Sequence, residues 1–197
     1  MEILNGKITS LNKKEALRYL GYYGAQNIDG LEEVFSECEE LALAAISPKA
    51  VYAVYDIEKL GGGKLNLGFA EVKSFDLEKN LSGCNKIALF AATVGIGLDR
   101  LILKYEKLSP ARAVILQAIG AALIEQWCDE VNEVITNEYK HTKPRFSCGY
   151  GDLSLSLQKE IFKGLSVTKN IGISLNESLF MTPTKSVTAI VGIANES

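Results

Sequence analysis

The chain has a single histidine, His141, and four cysteines, Cys38, Cys84, Cys128 and Cys148, none of them in a C-x-x-C pair. That scarcity argues against a zinc site and fits free thiols in a reducing compartment. Positive charge is no more abundant: 21 Lys and Arg face 24 Asp and Glu, for a net charge of -3. With the two signs interspersed there is no basic stripe to neutralise phosphates, so nucleic acid is a poor partner. Long apolar runs are missing too. Nothing approaches the roughly 20 residues of a bilayer span, and charged Glu2 and Lys7 stand where a signal peptide needs an apolar core, so a cytoplasmic protein is expected.

What is present suits one globular domain over residues 1–197, with 47% hydrophobic and 23% charged residues. Asn12, followed at the right offset by Glu15, caps a helix predicted over 13–20, which Gly21 ends before a turn at Tyr22, Tyr23 and Gly24. Leu31, Val34, Phe35, Cys38, Leu41, Ala42 and Ala45 recur at helical steps and predict a second helix ending before Pro48. Residues 51–57 and 65–69 read as strands of an antiparallel hairpin across Gly61, Gly62 and Gly63. Those glycines lack the Lys-Ser/Thr and helix start of a phosphate cradle, so they read as the hairpin tip.

The apolar run 86–93 is a central strand buried on both faces. Gly95 and Gly97 follow it as in a dinucleotide fingerprint, but the third glycine is missing, and so is a second βαβ unit. Ser109 and Pro110 open the longest helix, to about Tyr139, whose apolar stripe faces the core. A short helix over 157–165 and a last strand over 186–193 complete the pattern. The fold class that follows is α+β, a mainly antiparallel twisted sheet with flanking helices including one long one.

Residues 145–187 ask for a chemical explanation as well as a packing one. Arg145, Gly149 and Tyr150 put a permanent cation, a glycine-freed backbone and a phenol in one short segment. Spacing alone favours the other reading, in which Arg145 is a surface cation and Gly149 and Tyr150 are a turn followed by a core aromatic. Residues 175–187 mix Glu177, Ser178, Met181, Pro183 and Ser186 without helical or strand period, as in a structured loop. Glu125 and Asp129 share one face of the long helix, either solvated or turned to a cationic ligand.

The ordered patterns Arg-x-x-x-Gly-Tyr (Arg145, Gly149, Tyr150) and Leu-x-Glu-Ser-x-x-Met-x-Pro-x-x-Ser-Val (Leu175, Glu177, Ser178, Met181, Pro183, Ser186, Val187) resemble the S-adenosylmethionine-binding activation domain of cobalamin-dependent methionine synthase. The resemblance implies a stand-alone activation domain that is not a complete enzyme. Such a domain binds S-adenosylmethionine and supports reductive methylation of cob(II)alamin on a separate methionine synthase or related corrinoid protein. Cobalamin would be carried by that partner, and the electron would come from a flavodoxin- or ferredoxin-type protein. It further implies a ligand site of Arg145, Ser147, Gly149, Tyr150, Glu125 and Glu177, with no catalytic residue and no metal ligand of its own. Arg145 suits the ligand carboxylate, and Ser147 and Gly149 offer backbone to the adenine or ribose. Glu125 suits the ammonium or sulfonium; Glu177 reads equally as an acid tying its own loop to backbone N–H groups.

A binding or interaction module without a redox role is the alternative implied function. Direct methyl transfer to a small substrate is a weaker one, because no constellation here supplies an obvious base. No Asp-x-His-x-x-Gly cobalt-ligand motif is present, since His141 follows Tyr139 and Lys140. The chain departs from the family just after Tyr150, where Gly151, Asp152, Leu153 and Ser154 replace a segment containing Pro and Cys or His, and it ends before the family's C-terminal tyrosines. The resemblance therefore carries the methionine side of the ligand more firmly than the adenosine side.

Overall fold

The computed structural model describes residues 1–22 and 30–194, so most of the turn expected at Tyr22, Tyr23 and Gly24 lies outside the described residues. In chain order the first half contains β1 (Glu2–Asn5), α1 (Lys13–Tyr19), α2 (Glu32–Ala45), β2 (Lys49–Asp56), β3 (Glu58–Gly61), β4 (Lys64–Asn66), β5 (Glu71–Lys73) and α3 (Phe75–Asn80). The second half follows with β6 (Cys84–Thr93), α4 (Ile96–Leu108), α5 (Pro110–Tyr139), α6 (Gln158–Gly164), α7 (Val167–Ile171), β7 (Ser174–Leu175), β8 (Met181–Thr182) and β9 (Ser186–Ala194). A 3-10 turn at Leu155–Leu157 leads into α6.

The main sheet has the order β1-β2-β6-β9, and all its pairings are antiparallel. Strand β6 lies between β2 and β9 and is buried from Ile87 onwards, as its apolar sequence predicts. Its side chains alternate between two cores. Ala88, Phe90 and Ala92 face Leu116, Ile119 and Leu123 of α5, while Ile87, Leu89 and Ala91 face Leu65, Leu77, Ile161 and Leu165. The sheet is thus the middle of three layers, with α1, α2, α4 and α5 on one side and α3, α6, α7 and the small β3-β4-β5 sheet on the other. The α+β expectation with one long helix stands.

Helix α1 starts where Asn12 Oδ1 accepts from Glu15 N at 3.2 Å, but the Glu15 carboxylate pairs with Arg18 rather than returning to the cap. Gly21 takes φ +87°, the left-handed conformation expected after the helix. The expected hairpin is corrected in one arm. The triple glycine does form its tip, but the arms are β3 and β4, while β2 lies in the main sheet. Ala50 and Tyr52 point into one core and Val51 and Ala53 into the other, so β2 belongs to the layer between the two cores, where β1 and β6 pair with its two edges and leave none for a hairpin partner. The four-residue β1 and five-residue α7 carried no readable period in the sequence. Among the described residues no helix is long and apolar enough to cross a membrane.

Candidate functional site

Strand β9 forms an edge of the main sheet, and the segment after α5 runs antiparallel along it. Phe146 and Ile190 exchange both backbone hydrogen bonds at 2.8 Å; Lys143 N donates to Gly192 O and Ala194 N to His141 O, also at 2.8 Å. This docking fixes Arg145 beneath α5. Its guanidinium donates to Asp129 Oδ1 at 2.7 Å and Glu125 Oε2 at 3.0 Å, bridging the two acids that share a face one helical turn apart.

Beyond Phe146 the chain leaves the sheet edge and turns back. Tyr150 N donates to Ser147 O at 3.2 Å and Gly149 N to Leu153 O at 2.9 Å, with Gly149 at φ +89°, where a side chain would be strained. The Tyr150 ring is 62% exposed and stands edge-on to Phe146, with centroids 6.3 Å apart.

Between this turn, α5, α6 and the start of β9 opens a cleft of about 340 Å³. Arg145, Ser147, Tyr150 and Glu125 all line it, and Gly149 sits in the turn between the lining residues Cys148 and Tyr150. Met181, Gln158 and the β9 residues Ser186, Val187 and Thr188 complete the wall. Thr188 lies on the same edge of β9 as Ile190, beyond the last bridge to Phe146, so alternation points its backbone groups toward the cleft. Burial pushes the Cys148 thiol up to about 11, which keeps it protonated and unreactive at neutral pH. A second cleft of about 610 Å³ lies between α1 and α5, and Glu125 borders both.

Glu177 is placed elsewhere. It sits exposed in the tip joining β7 to β8 and is not among the residues lining the cleft. The loop is tied instead by Asn176, whose Oδ1 accepts from Phe180 N at 2.9 Å and whose N donates to Phe180 O at 3.1 Å. Ser186 has a supporting role as well: its hydroxyl donates to Pro183 O at 2.7 Å and lies 2.9 Å from the Thr93 hydroxyl. Asp99, buried in the first turn of α4, accepts from Thr184 N at 2.7 Å and the Thr184 hydroxyl at 2.8 Å, holding the loop that leads into β9.

The divergent residues after Tyr150 have a structural use. Asp152 accepts from the Ser74 hydroxyl, from Phe75 N at 2.8 Å and from Asp76 N at 3.3 Å, so it caps α3 from a distant part of the chain. The Ser74 hydrogen bond first, then those two amides, hold its carboxyl below the ordinary 3.8. A carboxyl depressed by folding contributes stability above its unfolded value, and the contribution disappears as pH falls through the folded one. Denaturant midpoints of wild type and Asp152→Asn should therefore differ at pH 6 and converge as the pH falls below the ordinary carboxylate range. A gap that stays constant with pH would rule out this role.

Sequence reading did not find Gln158. It is 6% exposed on the first turn of α6, lines the cleft, and its Oε1 has no hydrogen-bond partner among the described residues. Nor did it find the bridge from Arg145 to both acids, because residues 125, 129 and 145 meet only through the docking on β9. No group of His, Cys, Asp and Glu able to hold a metal ion occurs among the described residues.

Fold and cleft together define a class: an α+β domain with a helix-backed antiparallel sheet and a charged, small-molecule-sized cleft at the sheet edge. Residues 74–197 match the family described as the activation domain of vitamin B12-dependent methionine synthase, and the chain belongs to that family. No curated protein matches it in sequence. Among solved structures it is similar to the MetH reactivation domain bound to AdoHcy, with a TM-score of 0.74 at 14% identity, over 100% of this chain and 80% of that one.

Proposed function

We propose that the chain binds S-adenosylmethionine in the cleft at the β9 edge and supports reductive methylation of cob(II)alamin carried by a cobalamin-dependent methionine synthase module or related corrinoid protein. Residues 1–197 act as one domain in this reading. The observation that carries it is the convergence of Arg145, Glu125, Ser147 and Tyr150 on one cleft. Family membership and the likeness to a reactivation domain solved with AdoHcy support the choice of ligand.

The charges suit that ligand. Arg145 has five N–H donors and spends one each on Glu125 and Asp129, which leaves donors for the ligand carboxylate. Two carboxylates and one guanidinium leave a local charge of about minus one, which complements the net positive charge of a zwitterionic amino acid bearing a sulfonium. Glu125 is the acid that lines the cleft and is the natural partner of the ammonium. Exposed Tyr150, at the mouth, supplies a ring edge and a phenol beside the bound ligand.

The reaction consists of one electron from an external reductant, of flavodoxin or ferredoxin type, and one methyl group from the sulfonium. The protein's part is to hold the methyl donor in place for the corrinoid. Four buried free cysteines suit a reducing cytoplasm. The test is spectroscopic: with S-adenosylmethionine, a reductant and a cob(II)alamin-loaded methionine synthase module, the chain should convert the cob(II)alamin spectrum to that of methylcobalamin. Binding without conversion would favour a module that binds ligand without a redox role.

A further inference from the structure

Helices α2 and α4 touch each other, pack on α5 and turn their outer sides to solvent. The end of α2 meets the start of α4, where a Cβ on Gly97 would collide with Ala45 O. Further along, Arg112 of α5 pairs with Glu37, and its guanidinium lies 5.9 Å from the centroid of the Tyr105 ring. The two helices therefore run antiparallel, with Ala45 beside Gly97 and Glu37 near Tyr105. Helix α2 carries Glu32, Glu33, Glu37, Glu39 and Glu40 and no Lys or Arg. Along its exposed side Glu33, Glu37, Glu40 and Ala44 follow one another at steps of four, three and four. The exposed side of α4 repeats those steps with Ile96, Arg100, Leu103 and Lys107, and Leu103 is 59% exposed. Among the described residues Glu33, Glu40, Arg100 and Lys107 form no ion pair. An acidic row and a row of alternating apolar and basic side chains thus stand next to each other on one surface.

We propose that this surface docks a second copy of the chain, about a twofold axis that runs along and between α2 and α4. Such a rotation lays α2 of each copy on α4 of the other, again antiparallel, so the register within the chain becomes the register across the interface. Glu33 of each copy then faces Lys107 of the other, Glu40 faces Arg100 and Ala44 faces Ile96, every pair occurring twice by symmetry. Leu103 comes between the two ion pairs, against the stem of Glu37, and loses its contact with water. Each exposed ion pair contributes little alone; the matching of whole rows selects this partner and this orientation. Laying acidic row on acidic row sets like charges together and is disfavoured. Neither α2 nor α4 lends a residue to the cleft at the β9 edge, so each copy keeps its own cleft.

The experiment is sedimentation equilibrium of the wild-type chain and of two charge-reversed variants, one carrying Arg100→Glu with Lys107→Glu and the other Glu33→Lys with Glu40→Lys. Each helix is only about 20 Å long, so the interface is small and the wild-type dimer should form at tens of micromolar, roughly, in low salt. Its dissociation constant should rise at least about 10-fold between about 50 mM and about 500 mM salt, because exposed pairs are screened. Either variant alone sets like charges across the interface and should sediment as a monomer. An equimolar mixture of the two should recover the dimer, since each acidic row again meets a basic one, a rescue that damage to the fold does not produce. A wild type that stays monomeric at about 100 µM in low salt overturns the proposal, and so does a wild-type dimer indifferent to salt, whether or not the variants fold. Variants that remain dimeric, or folded variants that stay monomeric when mixed, overturn it as well and place any interface elsewhere.

Discussion

Arg145→Ala should weaken S-adenosylmethionine binding by about 10- to 150-fold, the equivalent of roughly 1.5–3 kcal/mol for a lost charge-assisted hydrogen bond. That figure is the loss of the fork that meets the ligand carboxylate; the substitution also leaves Glu125 and Asp129 facing each other on α5 without their shared cation. The α5 acids then repel one another and draw in solvent cations, so the variant's residual binding should depend more steeply on salt than that of wild type. Arg145→Lys should recover little, because a single ammonium cannot bridge two carboxylates and still present a planar pair of donors. Calorimetry on the three proteins checks the order: wild type far above Lys, and Lys close to Ala.

Trp127→Ala is expected to have the largest effect on stability, about 3–5 kcal/mol. The indole is 4% exposed, its ring lies against the backbone of Gly6, and its N–H donates to Lys49 O at 3.0 Å. It is the joint between α5 and the β1-β2 side of the sheet. Losing it opens a cavity and strands a carbonyl, and both effects reach the helix that carries Glu125 and Asp129. With an m-value of about 2 kcal/mol/M, the urea midpoint should fall by roughly 2 M. A fall of less than ~0.5 M would mean that α5 is held to the sheet by other contacts.

The sequence carried those parts of the structure that are local. The apolar run of β6, the cap at Asn12, the proline opening α5 and the glycine tip of the β3-β4 hairpin each depend on near neighbours and occur as read. The partners of β2 were misread because a strand buried on both faces looks the same in a hairpin as in a sheet interior. At the site, residue identities were legible and geometry was not. Arg145, Ser147, Tyr150 and Glu125 share a cleft because residues 141–146 pair with β9, from His141 with Ala194 to Phe146 with Ile190, a long-range contact that no spacing rule encodes. Glu177 entered through its motif, and the structure sets it on an exposed tip away from the cleft. Gln158 was invisible because a glutamine near a helix start is ordinarily solvated; its burial, not its type, singles it out. Asp152, likewise, acts on α3 some 76 residues earlier in the chain.

The central claim is that this chain binds S-adenosylmethionine through the cleft at the edge of β9. Titration calorimetry of the wild-type protein with S-adenosylmethionine tests it most directly. The account predicts saturable one-site heat that Arg145→Ala largely abolishes. No saturable heat at millimolar ligand, or an Arg145→Ala protein that binds as tightly as wild type, would contradict it.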